Sequence, residues 1–366
     1  MQNFHSGCSA REQFAQTAMV PPDYRERMRA SHPPFVIGHR GAPGYRPEHT
    51  RASFELAFAL GADAVEPDLV STRDGVLVIR HENEISATTD VAKRPEFSDR
   101  RTTKVIDGVS LTGWFTEDFT WEELSTLRAI ERLPKVRPHN ATFDGTQPML
   151  RLSDLLEIVD RSCERHGRSL RLVAEIKHAT YFESIGLPLD QLVADRLGRW
   201  GSRERLTVEC FEQTVLDQVR SRGVDADYVY LVESTGAAAD LVARDGSTAM
   251  SYAEQLTDAG LARLAREVDG ISVDKSLLLS AGVEGAGAKG AVRTTELVAQ
   301  AHEHGLSVFT WTLRPENPFL ASGHRVGTAA ADWGDWRREY ELILSTGVDG
   351  VFADHPDLAV AARDGL

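Results

Sequence analysis

Glu66 and Asp68 stand two residues apart in the run D-A-V-E-P-D-L-V, residues 63–70. In an extended strand successive side chains alternate faces, so both carboxylates leave the same face with Cα atoms roughly 6–7 Å apart. Carboxylates that close repel unless positive charge sits between them. A hard divalent cation that takes oxygen ligands, Mg²⁺ or Ca²⁺, suits the gap. His39 and Arg40 follow the preceding apolar run, Phe35 to Gly38, and His81 closes the next one, which starts at Val76. Together they bracket the cation with a proton donor, a proton acceptor and planar donors for a phosphate. The chemistry to which this spacing points is cleavage of a phosphoryl ester.

Glu175 and Lys177 repeat the two-residue spacing in V-A-E-I-K. Alone they read as an internal ion pair. Beside Glu66 and Asp68 they read instead as a third metal carboxylate and a charge that meets the phosphate. Other candidates carry competing readings. Glu48 and His49 are expected to order the loop before the first helix, and Trp311, in F-T-W-T, either walls the site or fills the core. His302 and His304 close a helix before Gly305, where cationic side chains suit the C-terminal dipole, and are read as structural. The run Gly282 to Gly290 lacks the Lys-Ser/Thr ending of a phosphate loop and is read as a flexible connection.

The elements that must position these residues are legible in the alternation of the chain. Apolar runs centred near residues 36, 66, 174, 208, 230, 272, 309 and 351 alternate with helical patterns, which predicts a (β/α)8 TIM barrel. Active sites in that fold lie at the C-terminal ends of the strands, where His39, Glu66, Asp68, Glu175 and Lys177 all fall. The predicted organisation is an N-terminal arm over 1–33, expected to be poorly ordered, and one catalytic barrel over 34–366. An insertion over 82–148 interrupts the rhythm after the second strand region. Its expected features are a short helix from Thr120 to Ala129 and four aromatics, Trp114, Phe115, Phe119 and Trp121.

Composition narrows the partners. A formal charge of −14 argues against nucleic acid, and the chain has no run of 18 apolar residues for a membrane span. Three cysteines, Cys8, Cys163 and Cys210, lack metal or redox spacing, so no disulfide framework is expected. The polar N-terminus has no apolar core of a secretory signal, which makes a cytoplasmic location the default expectation. Oligomeric state is open.

As a set, H-R-G at 39–41, P-E-H-T at 47–50, E-x-D at 66–68 and the His at 81 resemble the glycerophosphodiester phosphodiesterase family, especially its longer bacterial branch. The resemblance spans roughly Ile37 to Leu358. It implies hydrolysis of a small glycerophosphodiester, such as glycerophosphocholine or glycerophosphoethanolamine, to sn-glycerol 3-phosphate and an alcohol. It implies one divalent cation on Glu66, Asp68 and Glu175, His39 and His81 as general base and acid in either order, and Arg40 and Lys177 against the phosphate. It also implies that the insertion covers the substrate end, its aromatics shaping the alcohol pocket. Two residues depart from the family pattern: Glu82 replaces the usual Asp after the second His, and Pro67 separates the two carboxylates. The alternatives are a phospholipase-like barrel acting on lysophospholipids, phosphoinositides or sphingolipids, a Schiff-base lyase using Lys177, and a non-catalytic binding barrel.

Overall fold

Eight short apolar segments build the centre of the protein. The computed structural model describes residues 33–281 and 292–366, so all but the last residue of the expected N-terminal arm and the whole of the Gly282–Gly290 run lie outside the described residues. The strands are β1 (Phe35–His39), β2 (Ala64–Glu66), β3 (Arg171–Ile176), β4 (Leu206–Cys210), β5 (Asp227–Val232), β6 (Gly270–Asp274), β7 (Ser307–Leu313) and β8 (Gly350–Ala353). All pair in parallel, β1 with β8 and β2, and the pairing of β2 with β3 closes the barrel. This is the (β/α)8 barrel that the alternation predicts.

Pro67 divides the second strand. It has no N–H for the ladder, and its carbonyl accepts instead from the backbone of Glu175 at 3.0 Å. Beyond the break, Asp68–Ser71 resumes pairing with β3 and on its other edge takes an antiparallel partner, Leu77–Ile79. That partner is the Val76 to Arg80 run of the sequence, trimmed at both ends.

The helices follow their local signals where caps are unambiguous. The Thr50 hydroxyl accepts from the Ser53 backbone at 3.2 Å and starts α1 (Arg51–Ala59), whose Phe54, Ala57 and Phe58 are buried against the strands. Burying each such phenylalanine contributes about 1.5–3 kcal/mol. In α2 (Leu152–His166) the cap position is Arg151, and the Asp154 carboxylate accepts from the Arg151 backbone at 3.0 Å and fixes the start. Among the described residues no helix is long and apolar enough to cross a membrane.

Residues 82–148 depart most from expectation. The predicted helix from Thr120 is a single turn, Trp121–Leu124, with a reciprocal capping box between Thr120 and Glu123. The hydroxyls of Ser125 and Thr126 then donate to the carbonyls of Glu122 and Glu123, both at 2.7 Å, and offer the backbone an alternative to further helix. The aromatics face inward. Trp114, Phe115 and Phe119 are buried, Phe97 meets Phe119 edge-on at 5.1 Å, and the Trp114 indole donates to the Phe97 carbonyl at 2.6 Å. Phe97, Trp114 and Phe119 join the barrel's own buried core, and none of the four aromatics lines the cavity, which corrects the expectation that they shape a pocket.

What this segment offers to the barrel mouth is a hairpin, Thr102–Ile106 paired with Val109–Gly113, whose turn holds Asp107 and Gly108 at φ +48° and +82°. It also sends Arg137 inward. That guanidinium reaches Glu316 at 2.7 Å, Asp354 at 2.6 Å and the Pro43 carbonyl at 3.1 Å. Replacing Arg137 with alanine leaves two buried carboxylates short of their partner and is expected to lower stability by about 3–5 kcal/mol. Denaturant titration checks this, and a loss near zero contradicts the bridging role.

Candidate active site

Register carries the functional side chains into one ring at the C-terminal end of the barrel. His39 lies opposite Glu66 in the β1–β2 ladder, Asp68 opposite Glu175, and Glu175 opposite Glu209 on β4. Oxygens of Glu66, Asp68 and Glu175 lie within 4.8 Å of one another, and all three residues are buried. His39, Arg40, Glu66, His81, Glu175, Lys177 and Trp311 line a cavity of about 1450 Å³, whereas Asp68 sits behind its wall.

The carboxylates are held in an unbalanced electrostatic state. The Arg40 backbone N–H donates to Glu66 Oε2 at 2.8 Å, while Glu66 Oε1 has no hydrogen-bond partner. Burial, and after it the charges of Asp68 and Glu175, push Glu66 well above the usual carboxylate range. Burial and Asp68 likewise raise Glu175 to about 8, against the pull of Lys177. Asp68 goes the other way: burial raises it, but His81, Arg40 and Lys177 outweigh that and hold it well below its ordinary value. Neither Asp68 oxygen makes a full hydrogen bond, although His49 Nε2 lies 3.0 Å and Arg40 Nε 3.3 Å from Oδ2. Three buried carboxylates that repel one another, two of them with orphaned oxygens, are a donor set that fits a hard divalent cation.

A cation competes with protons for these oxygens. Glu175 is ordinarily ionised above 4.5 and here only above about 8, so across that window the folded chain holds an extra proton that metal must displace. The rise in melting temperature produced by added Mg²⁺ or Ca²⁺ is therefore expected to grow as pH rises from 4.5 towards 8. Melts in EDTA and in metal across that range check it; a metal effect that shrinks with pH contradicts it.

The two histidines are supported differently. His39 Nδ1 lies 2.6 Å from Asp354 Oδ1, one residue beyond β8, and Asp354 Oδ2 accepts from Arg137 at 2.6 Å and Arg314 at 2.7 Å. With Nδ1 engaged, proton exchange falls to Nε2. Burial and the neighbouring Arg40 lower His39 to about 4, with Asp354 pulling in the opposite sense. His81, two residues past the strand Leu77–Ile79, has Nδ1 2.8 Å from Glu82 Oε1. Burial, Arg40 and Lys177 lower it to about 3. Both rings are thus neutral near pH 7.

The expected phosphate groups are already engaged. Arg40, at φ +56°, points its guanidinium at Glu48 (3.3 Å) as well as Asp68, and Lys177 Nζ donates to Glu175 at 2.7 Å. Both still line the cavity. Trp311 packs edge-on to Phe211 at 5.8 Å and also joins the inner barrel cluster with Ile37 and Phe352, so it walls the cavity and fills the core at once. Glu48 and His49 brace Arg40 and Asp68, while His302 and His304 pair with Asp349 and Asp258.

Sequence reasoning missed Glu209, Asp354, Arg137, Arg314 and His178. Glu209 and Asp354 carried a usable signal, a carboxylate in or just beyond an otherwise apolar strand: L-T-V-E-C and V-F-A-D. The other three had none.

Residues 39–358 match the model of the glycerophosphoryl diester phosphodiesterase family. A glycerophosphodiester phosphodiesterase of Arabidopsis thaliana is 29% identical over 337 residues, which covers 88% of this chain and 83% of the relative. A crystal structure from Silicibacter pomeroyi, proposed to be a glycerophosphoryl diester phosphodiesterase, superposes with a TM-score of 0.62 at 22% identity and covers 93% of this chain and 97% of that one. A phosphodiesterase from Oleispira antarctica, in complex with the product sn-glycerol-3-phosphate, superposes with a TM-score of 0.57 at 19% identity over 92% of this chain and 99% of its own. The low identities of both structures make them evidence for the fold alone.

Proposed function

Because the chain belongs to the glycerophosphoryl diester phosphodiesterase family, we propose that it is a divalent-metal-dependent enzyme that hydrolyses small glycerophosphodiesters to sn-glycerol 3-phosphate and an alcohol. The observation that carries this reading is the cluster of Glu66, Asp68 and Glu175 at the wall of one cavity, which Glu66 and Glu175 line together with His39 and His81. Glu66, Asp68 and Glu175 would hold the cation, Mg²⁺ or Ca²⁺, which would supply Lewis-acid stabilisation of the charge that develops on the phosphoryl group.

His39 and His81, neutral before substrate binds, share the acid–base work. One ring takes the proton from the attacking hydroxyl; the other first gains a proton from solvent as the negative charge of the diester arrives beside it, and passes it to the departing alcohol oxygen as its bond to phosphorus breaks. Asp354 fixes the tautomer of His39 and stabilises the imidazolium when that ring carries the proton. Arg40 and Lys177 place positive charge beside the phosphate, each anchored by a carboxylate so that its orientation is set before substrate arrives. Membership of the family, with a relative named as a glycerophosphodiester phosphodiesterase, supports the choice of substrate class.

Product analysis tests the assignment. Purified protein with Mg²⁺ is expected to turn glycerophosphocholine into glycerol 3-phosphate and choline. Release of phosphocholine and glycerol contradicts the bond assigned, and turnover of lysophospholipid but of no water-soluble diester favours the lipid-directed alternative.

A further inference from the structure

His178 follows Lys177 at the end of β3 with φ +53°, in the left-handed region. Outside glycine that conformation is uncommon, Asn, Asp and His entering it most often, and residues held there gather where a site needs one side chain in one place. The His178 ring lies between two carboxylates: Nε2 is 3.0 Å from Glu82 Oε2 and Nδ1 is 2.6 Å from Asp107 Oδ2. An imidazole facing carboxylates with both nitrogens donates with both and is cationic. Although burial opposes the charge, the two hydrogen bonds raise His178 to about 9. The other oxygen of Glu82 lies 2.8 Å from His81 Nδ1.

His81, Glu82, His178 and Asp107 thus form one continuous chain from the candidate acid–base pair to the tip of the Thr102–Gly113 hairpin, and His178 is its central link. Without His178 the Oε2 of Glu82 loses its anchor and the carboxylate is free to turn away from His81. The hairpin tip loses the same anchor. Asp107 and Gly108 line the cavity, so the tip bounds the space in which substrate sits.

We propose that His178 is a positioning residue: it holds Glu82 against His81 and fastens the hairpin tip at the cavity mouth, coupling the placement of that tip to the alignment of His81. The inference rests on the acid–base role of His81 proposed above.

A double-mutant cycle on the full chain, with Mg²⁺ and glycerophosphocholine, tests it. His178→Asn keeps a residue suited to the left-handed backbone and removes the two-sided bridge. It is expected to lower kcat by about 10²-fold in the wild-type background, but by less than about threefold when His81 is already alanine, because groups that act as a unit do not lose activity additively. Equal losses in both backgrounds, or an unchanged kcat, overturn the proposal. Absence of turnover by the wild-type protein overturns the hydrolase reading instead. A second measurement, which does not depend on the His178 variant folding, is hydrogen exchange in Asp107→Asn. Amides of residues 102–113 are expected to exchange faster while the barrel strands stay protected, and unchanged exchange at the hairpin overturns the fastening.

Discussion

Glycerol 3-phosphate release is expected to fall by about 10³-fold when His39 is replaced by alanine, with most of the loss in kcat. The ring is unusually well prepared for proton transfer. Burial and Arg40 hold it at about 4, so it is neutral at pH 7 and able to accept. Asp354 orients it from behind at 2.6 Å, and Arg137 and Arg314 keep Asp354 ionised as the partner of the imidazolium that forms. Asp354→Asn is expected to cost about 10²-fold, because the ring stays in place while its tautomer and charge lose support. Steady-state kinetics on folded variants check both, and a His39→Ala enzyme within about tenfold of wild type contradicts the role assigned to the ring.

Loss of a metal carboxylate is expected to have an effect of similar size and a distinctive signature in stability. Glu66→Gln, Asp68→Asn or Glu175→Gln each lowers kcat/KM by at least about 10²-fold, since each removes an anionic oxygen donor from the cation. In wild-type protein a cation at a hundredfold excess over its Kd adds about 2.7 kcal/mol of stability, and the variants lose most of that gain. In EDTA the sign differs for Glu66→Gln. Burial and the carboxylates of Asp68, Glu175 and Glu209 make an ionisable group at position 66 costly to keep in the metal-free fold; an amide carries no such cost, and its oxygen can still accept from the Arg40 backbone. The metal-free variant is therefore expected to melt at or above the metal-free wild type while failing in metal. A variant that melts lower in EDTA and still gains in metal contradicts the site.

The barrel and the acidic cluster at its C-terminal end were readable because each rested on a period the chain cannot disguise. Strand runs of about five residues between amphipathic helices leave few other folds open, and Glu66, Asp68 and Glu175 stood out as charges among apolar neighbours in such runs. Glu209 met the same criterion at 1% exposure and was passed over because no second acidic residue stood two positions away. The insertion was not readable. Its hairpin has mixed polarity, its helix lasts one turn, and Arg137 crosses from residue 137 to partners at 316 and 354, a relation with no local trace. His178 was invisible for the same reason, since its two partners come from separate loops at 82 and 107. The four aromatics of the insertion misled because a ring near a site and a ring beneath it look alike in sequence.

The most direct test of the central claim is glycerol 3-phosphate release from glycerophosphocholine by the purified protein, followed in EDTA and then after Mg²⁺ or Ca²⁺ is restored to the same sample. Release that is absent in EDTA, returns with the cation and stays absent in Asp68→Asn is the predicted result. Release that proceeds unchanged in EDTA, or that the Asp68 variant retains, would contradict a metal held by Glu66, Asp68 and Glu175.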